Sequence, residues 1–348
     1  MKHLLALVAA CLLLAAWLSP AEELEVVLRE LDATLSWDPL TGQGQFELSG
    51  RSLGEPGDRI AFRLGFPWAL VNYRYLVAWP EITRKEGRLE FSRQGLENLK
   101  SHYGAAAQRS EQPRVAAILI DPGHGGTDSG AVGSYLEVEE NRRLQEKDVV
   151  LSVARGLHEL LAAEYPDRKI LLTRSGDVYL KLEDRAELAN TLPLGEHEAV
   201  IFISIHANAS FNPNARGYEV WVLPADYRRQ LIDAGSLDEE RKAIAPILNV
   251  LLEEEYAIES ITLARQVLES FDREVGTQSE NRGIREESWF VVRNARMPSI
   301  LIELGFVTNP QEAQLLAREQ YLQKLARAIY TGVRRFVHAF EKTKGFTE

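Results

Sequence analysis

Three short apolar runs, each ending on a side chain able to hold a metal or move a proton, constrain this chain more than any other feature. The first is Ala116-Ala117-Ile118-Leu119-Ile120, which leads into Asp121-Pro122-Gly123-His124-Gly125-Gly126. An apolar run of this length bounded by turn residues reads as a buried strand, and Asp-Pro-Gly cannot continue it. The strand therefore stops and presents His124 on a tight loop, where glycines let a ligand approach the main chain closely. Ala199 to Ile205 is the second run and ends at His206-Ala207-Asn208; Ser299 to Ile302 is the third and ends at Glu303-Leu304-Gly305-Phe306. In an open α/β sheet, ligands bind beyond the carboxyl ends of the strands. Two histidines and a glutamate delivered to such ends read as one site.

The chain around these runs divides in two, as 348 residues suggest. From Glu22 to about Leu99 the alternation in Ala33-Thr34-Leu35-Ser36-Trp37, Gln45-Phe46-Glu47-Leu48, Arg59 to Gly65 and Gly87 to Phe91 predicts a small β-rich domain, closed by a short helix over Gln94–Leu99. Ser101 to Arg114 has no periodicity and reads as a linker. A second domain follows over residues 115–345. Its polar segment Ser134–Gln145 precedes a helix with Val149, Val150, Val153, Leu157, Leu160 and Leu161 on one face. Lys169–Arg174 reads as a strand, Leu182–Asn190 as a helix, Gly217–Val222 as a strand, Trp289–Val292 as another, and Gln311–Phe340 as closing helices. Strands alternating with helices predict a three-layer α/β/α arrangement on a mostly parallel sheet. Residues 225–259 fit this poorly: they form a long, acidic, helix-prone insertion ahead of a helix over Ile261–Phe271. Such a segment is either a solvated helical hairpin or a cover over the site.

At the N-terminus, Lys2 precedes the apolar run Leu4–Leu18, which is followed by Ser19-Pro20-Ala21. That is the pattern of a signal peptide cut after Ala21, so the mature chain is expected outside the cytoplasm, in a periplasm or at a cell wall, without a stable membrane anchor. Val8-Ala9-Ala10-Cys11 also matches a lipoprotein processing site, behind a very short apolar run, and an uncleaved anchor is a further alternative. The single cysteine is Cys11 itself, so cleavage leaves no disulfide and no cysteine nucleophile. A formal net charge of −11 without a Lys/Arg-rich face argues against a nucleic-acid partner.

Two histidines and a carboxylate can hold Zn²⁺ with its fourth position open, the arrangement of catalytic zinc. His124, Glu146 and His206 are assigned as the ligands, although spacing alone also leaves Glu137, Glu139 and Glu140 as sources of the carboxylate. Hydrolysis needs a base to take the proton of water and return it to the leaving group; Glu303, on a separate strand, is assigned that part. There is no His-Glu-x-x-His helix, and Ser204 lacks a nucleophile-elbow context. His102, His158, His197 and His338 read as surface residues. Asp121 either orients the His124 loop or only shapes the turn. Asn208 and Arg282, the latter in Asn281-Arg282-Gly283, are candidate substrate contacts, with strand-end and turn roles as the plain alternatives.

These residues, taken together, resemble the zinc-dependent N-acetylmuramoyl-L-alanine amidases. The matching pieces are Ile120–Gly126, Glu146-Lys147-Asp148, Thr173-Arg174 with Asp177, Leu182, Arg185, Ala189 and Asn190, Ser204–Asn208, Asn281-Arg282-Gly283, and Met297-Pro298 through Phe306 with Asn309-Pro310. The resemblance implies hydrolysis of the amide between N-acetylmuramic acid and L-alanine in peptidoglycan. It puts zinc on His124, Glu146 and His206 and the catalytic carboxylate on Glu303. It further implies that the insertion at 225–259 blocks the metal until an activator protein displaces it. The first domain is similar to the N-terminal domain of copper amine oxidases, through Ser36-Trp37-Asp38-Pro39, Leu64-Gly65-Phe66-Pro67 and Val71-Asn72; no chemistry is expected there.

Overall fold

The computed structural model describes residues 20–48, 59–71, 75–80, 82–85, 87–106, 113–137, 140–195, 198–224, 226–232 and 239–342. Most of the expected signal segment, with Cys11 and the candidate processing site, lies outside these residues, as does His197. The chain separates into two compact units that divide between Glu111 and Gln112.

The first unit begins with a helix that the sequence reading missed, α1 (Pro20–Leu31). Its buried Leu24 and Val27 are three apart and share one face. Five antiparallel strands follow in a meander, β1 (Ala33–Trp37), β2 (Gln43–Leu48), β3 (Arg59–Arg63), β4 (Trp68–Val71) and β5 (Tyr75–Ala78). A hairpin of β6 (Thr83–Lys85) and β7 (Arg88–Glu90) and the helix α2 (Arg93–Ala106) complete the unit. Phe46, Phe62 and Phe91 form its aromatic centre, with ring centroids 5.2 to 6.1 Å apart. α2 extends over the first six of the fourteen residues expected to be linker. Its buried Leu96 and Leu99 give the helix a core face that compensates for the weak propensities around Gly104.

The second unit carries a six-stranded sheet in the order β11-β8-β12-β15-β13-β14. Its strands are β8 (Arg114–Pro122), β11 (Lys169–Leu172), β12 (Glu198–Asn208), β13 (Tyr218–Val222), β14 (Asn281–Glu286) and β15 (Ser299–Phe306). The four strands from β11 to β15 run parallel, while β13 runs antiparallel to β15 and carries β14 parallel to itself. A hairpin of β9 (Val132–Glu137) and β10 (Glu140–Gln145) occupies the expected polar segment.

Alternation along the strands sorts the residues between two cores. Ile118, Ile120, Ile201, Ile203, Ile205, Ile300 and Ile302 pack with α3 (Glu146–Glu164), α5 (Glu239–Val275) and α8 (Glu319–Lys342), as well as the short α7 (Pro310–Leu316). Ala117, Leu119, Val200, Phe202 and Leu301 face the other way, toward α4 (Leu182–Asn190) and α6 (Phe290–Asn294). These are the three expected layers. Asp121, Ser204, His206 and Glu303 continue the second set by parity, so the polar site grows out of the α4–α6 face as the apolar face ends.

Two expectations change. Trp289–Val292 is not a strand: Phe290–Asn294 is helical, and the strand is Asn281–Glu286, which contains Asn281-Arg282-Gly283 rather than following it. Short apolar runs do not distinguish the two states by periodicity, and here Val291 and Val292 are buried in the core beneath the sheet. The insertion is not a hairpin set apart from the next helix; from Glu239 it is the same helix, α5, that ends at Val275. Its acidic residues suggest a solvated surface, yet Glu253, Glu255 and Glu259 are buried.

Candidate metal centre

His124 sits in the left-handed region, at φ 58°, a conformation that few non-glycine residues adopt. A buried frame holds the strained loop. The Asp121 carboxylate accepts from Thr173 Oγ1 at 2.6 Å, from Ser204 Oγ at 2.8 Å and from Arg185 Nη1 at 2.8 Å. Arg185 also donates to the carbonyls of Pro122 and His124, and Arg174 donates to those of Pro122, Gly123 and Lys147. Both arginines are buried, and their planar donor forks suit several carbonyls at once. Asp177 fastens the far side of the loop, accepting from Gly126 N at 2.7 Å and from Lys147 Nζ at 2.8 Å.

Glu146 opens α3, where the helix dipole favours an anion. Its Oε2 accepts from the Ala131 amide at 2.8 Å and its Oε1 from the Ala207 amide at 3.0 Å. The same Oε1 lies 3.1 Å from His124 Nε2 and 3.0 Å from His206 Nδ1. The two imidazoles stand edge to face, 5.0 Å between centroids. On its outer nitrogen, Nδ1, His124 meets Asp128 Oδ2 at 2.8 Å. Among the described residues, His124, Glu146 and His206 form a group whose ligand atoms all lie within 4.8 Å of one another.

Electrostatics in this cluster favour a cation. Burial pulls the His124 imidazole down, but hydrogen bonds and negative charge from Glu146 and Asp128 leave its pKa above the ordinary value. Burial pushes the Glu146 carboxyl up, yet the two histidines outweigh it and hold the group well below the usual carboxylate range. The donor set suits zinc: ligand bonds of about 2.0–2.1 Å in a tetrahedron put neighbouring ligand atoms about 3.3 Å apart. The backbone leaves room for it. A Cβ on Gly123 would lie 2.3 Å from the His206 ring, and one on Gly130 2.6 Å from Glu146 Oε2 and 2.7 Å from the His124 ring.

Glu303 is the register partner of His206 across parallel strands and of Glu219 across antiparallel ones. Its Oε2 is buried and has no hydrogen-bond partner among the described residues. Burial, with the negative charges of Glu146 and Glu219 added, raises its carboxyl well above the ordinary value. A carboxyl that holds a proton more readily than usual can both take one and give it back, which general acid–base chemistry requires.

Of the alternatives, Glu137 and Glu140 are backbone register partners in the β9–β10 hairpin, and Glu139 is outside the described residues. Asn208 and Arg282 come together through Glu219, whose Oε1 accepts from Asn208 Nδ2 and whose Oε2 accepts from Arg282 Nε, each at 2.7 Å. His158 is half-buried rather than solvated, with Nε2 3.2 Å from the Ile170 carbonyl; His338 is exposed, as expected. Sequence reasoning missed Asp128 and Glu219. For Glu219 a signal was present, a lone acid among Tyr218, Val220, Trp221 and Val222. Asp128, in a polar glycine-rich turn, carried none.

The profile of the N-acetylmuramoyl-L-alanine amidase family matches residues 118–335. N-acetylmuramoyl-L-alanine amidase AmiA of Escherichia coli is 30% identical over 267 residues, covering 73% of this chain and 86% of the relative. N-acetylmuramoyl-L-alanine amidase AmiC of Neisseria meningitidis is 32% identical over 251 residues, covering 68% of this chain and 56% of the relative. Among solved structures, N-acetylmuramoyl-L-alanine amidase AmiC2 of Nostoc punctiforme aligns with a TM-score of 0.47 at 30% identity, over 64% of this chain and 97% of that one. With the match running from within β8 into α8 and taking in all three residues of the His-Glu-His cluster, this chain belongs to the N-acetylmuramoyl-L-alanine amidase family of peptidoglycan hydrolases.

Proposed function

We propose that the protein is a secreted zinc amidase that cleaves the bond between the lactyl carbonyl of N-acetylmuramic acid and the amine of L-alanine, with His124, Glu146 and His206 as the zinc ligands and Glu303 as the general base. The observation that carries this reading is one carboxylate oxygen within 3.1 Å of nitrogens of two histidines. When bound there, zinc supplies a Lewis acid for the scissile carbonyl and a water whose pKa falls to about 7. Asp128 and the Ala131 and Ala207 amides orient the ligand side chains. Oε2 of Glu303 takes the proton of the attacking water. As the C–N bond breaks, Glu303 returns that proton to the alanine nitrogen, so the products are a muramic carboxylate and a free amino terminus. Asn208 and Arg282 contact the substrate.

Secretion rests on the charged, apolar and small-residue sequence of the first 21 positions. No helix among the described residues is long and apolar enough to cross a membrane. For residues 225–259 we propose a regulatory, autoinhibitory role relieved by an activator protein. Its support is that polar contacts hold the segment's two parts to each other, while Arg229 Nη1 donates to the Ala295 carbonyl outside it, contacts that a competitor can replace. Arg229 pairs with Glu253 through both carboxylate oxygens, and Asn249 Oδ1 accepts from the Leu231 amide at 2.6 Å.

Chelation tests the metal assignment: stripping the protein should abolish dye release from labelled peptidoglycan, and stoichiometric zinc should restore it. Full activity in a protein shown to hold no metal would overturn it.

A further inference from the structure

Glu219 is a carboxylate with 2% of its surface exposed, on a strand where Tyr218 and Val220 are fully buried. It stands beside Glu303 in register. Burying a second negative charge next to a carboxylate is costly unless it is paired and hydrogen-bonded. Glu219 is both: Oε1 holds the Asn208 amide and Oε2 the Arg282 guanidinium, with Arg285 Nε 3.7 Å from Oε2.

The consequence falls on those partners. Asn208 ends the strand that carries His206, just past a register shift between the two residues. With Nδ2 on Glu219 and Oδ1 accepting from the Ala209 amide at 2.9 Å, its rotamer is fixed. Arg282 is constrained three ways, by Nε on Glu219, by Nη1 on the Arg216 carbonyl at 3.3 Å, and by its place 5.1 Å over the Phe306 ring. Its side chain remains 32% exposed, and Nη2 has no partner among the described residues. A charged fork held in place with one nitrogen unspent is preorganised to donate, and loses little freedom when it does so.

We infer that Glu219 is a positioning residue: it presents Asn208 and Arg282 as fixed donors to oxygen acceptors of the muramyl peptide, beside the Glu303 strand. This rests on the amidase reading above. Glu219 touches neither the metal cluster nor the reacting atoms, so its loss should weaken substrate binding and leave zinc in place.

The experiment measures binding of a soluble muramyl peptide by calorimetry in zinc-loaded Glu303→Ala protein, which removes turnover. Adding Glu219→Gln should weaken Kd about tenfold, the scale of one charge-assisted hydrogen bond, with zinc content and Tm unchanged. Glu219→Ala added to an Asn208→Ala, Arg282→Ala double variant should bind no worse than that double variant alone. In otherwise wild-type protein, Glu219→Gln should raise KM by a similar factor. Unchanged Kd in Glu219→Gln, or a further loss when Glu219→Ala is added to the Asn208→Ala, Arg282→Ala double variant, overturns the inference. A drop in Tm with Kd unchanged makes Glu219 merely structural and overturns it equally. If the wild type binds the peptide but releases no alanine amino terminus, the amidase reading fails instead, and the binding comparison still decides the role of Glu219.

Discussion

His206 and Glu303 are register partners on adjacent parallel strands, so one sheet fixes a histidine of the metal cluster and the proposed base side by side at its carboxyl edge. Neither depends on a flexible loop for its place. His124 and Glu146 are brought to the same edge by a strained turn and a helix start, and the frame around Asp121 is what lets the turn persist.

The raised pKa of Glu303 has a stability cost with a definite sign. Between the ordinary carboxylate value, about 4.3, and the raised one, the folded chain binds more protons than the unfolded chain, so stability falls as pH rises through that window. Metal-free Glu303→Gln should therefore melt above metal-free wild type at pH 7, and the difference should vanish near pH 4. Thermal unfolding at the two pH values checks this; equal Tm at pH 7 would show that Glu303 is not strained by burial.

Asp128 is 2.8 Å from the outer nitrogen of His124. Partners of this kind fix the tautomer and orientation of a metal ligand, and their loss typically costs 10–100-fold in metal affinity. Asp128→Ala should weaken zinc binding by about that factor in a competition titration, with little change in the stability of the metal-free protein.

Arg185 and Asp121 form an ion pair with side chains 2% and 0% exposed. Removing one partner of a buried pair leaves an uncompensated charge and costs about 3–5 kcal/mol. Arg185→Met should lose about that much in denaturant unfolding, and Arg185→Lys should recover only part, because a point ammonium cannot reach Asp121 and the Pro122 and His124 carbonyls together.

Much of this was legible in the sequence because the informative residues sit where regular structure ends. An apolar strand that stops at a histidine or glutamate announces both the strand and the site, which is why His124, His206 and Glu303 stand out from residues far apart in the chain. The α4 helix, Leu182–Asn190, was equally plain. What stayed hidden depends on tertiary pairing. The β9–β10 hairpin is polar, and only its partner strand shows that it is a strand. Phe290–Asn294 is too short for its period to tell helix from strand. The acidic residues of α5 looked solvated, since no local pattern reveals that Glu253 is paired with Arg229 24 positions away. Asp128 and Glu219 act through other side chains, a role that leaves little mark on a single sequence.

The polar latch of the insertion gives the autoinhibition proposal a direct test. Deleting 225–259 should raise the rate of hydrolysis of purified sacculi about fivefold or more, within the usual range of coupling between sites. Arg229→Ala, which opens the latch without removing chain, should raise it in the same direction. No rise in either variant would count against a regulatory role.

The account stands or falls on the bond cleaved and the group that moves the proton. Purified peptidoglycan digested by wild type and by Glu303→Ala, with products identified by mass spectrometry, addresses both at once. The account predicts that wild type releases stem peptides with a free L-alanine amino terminus, and that Glu303→Ala retains its zinc while losing at least about a hundredfold in that release. Cleavage within the stem peptide by wild type, or undiminished release by Glu303→Ala, would contradict it.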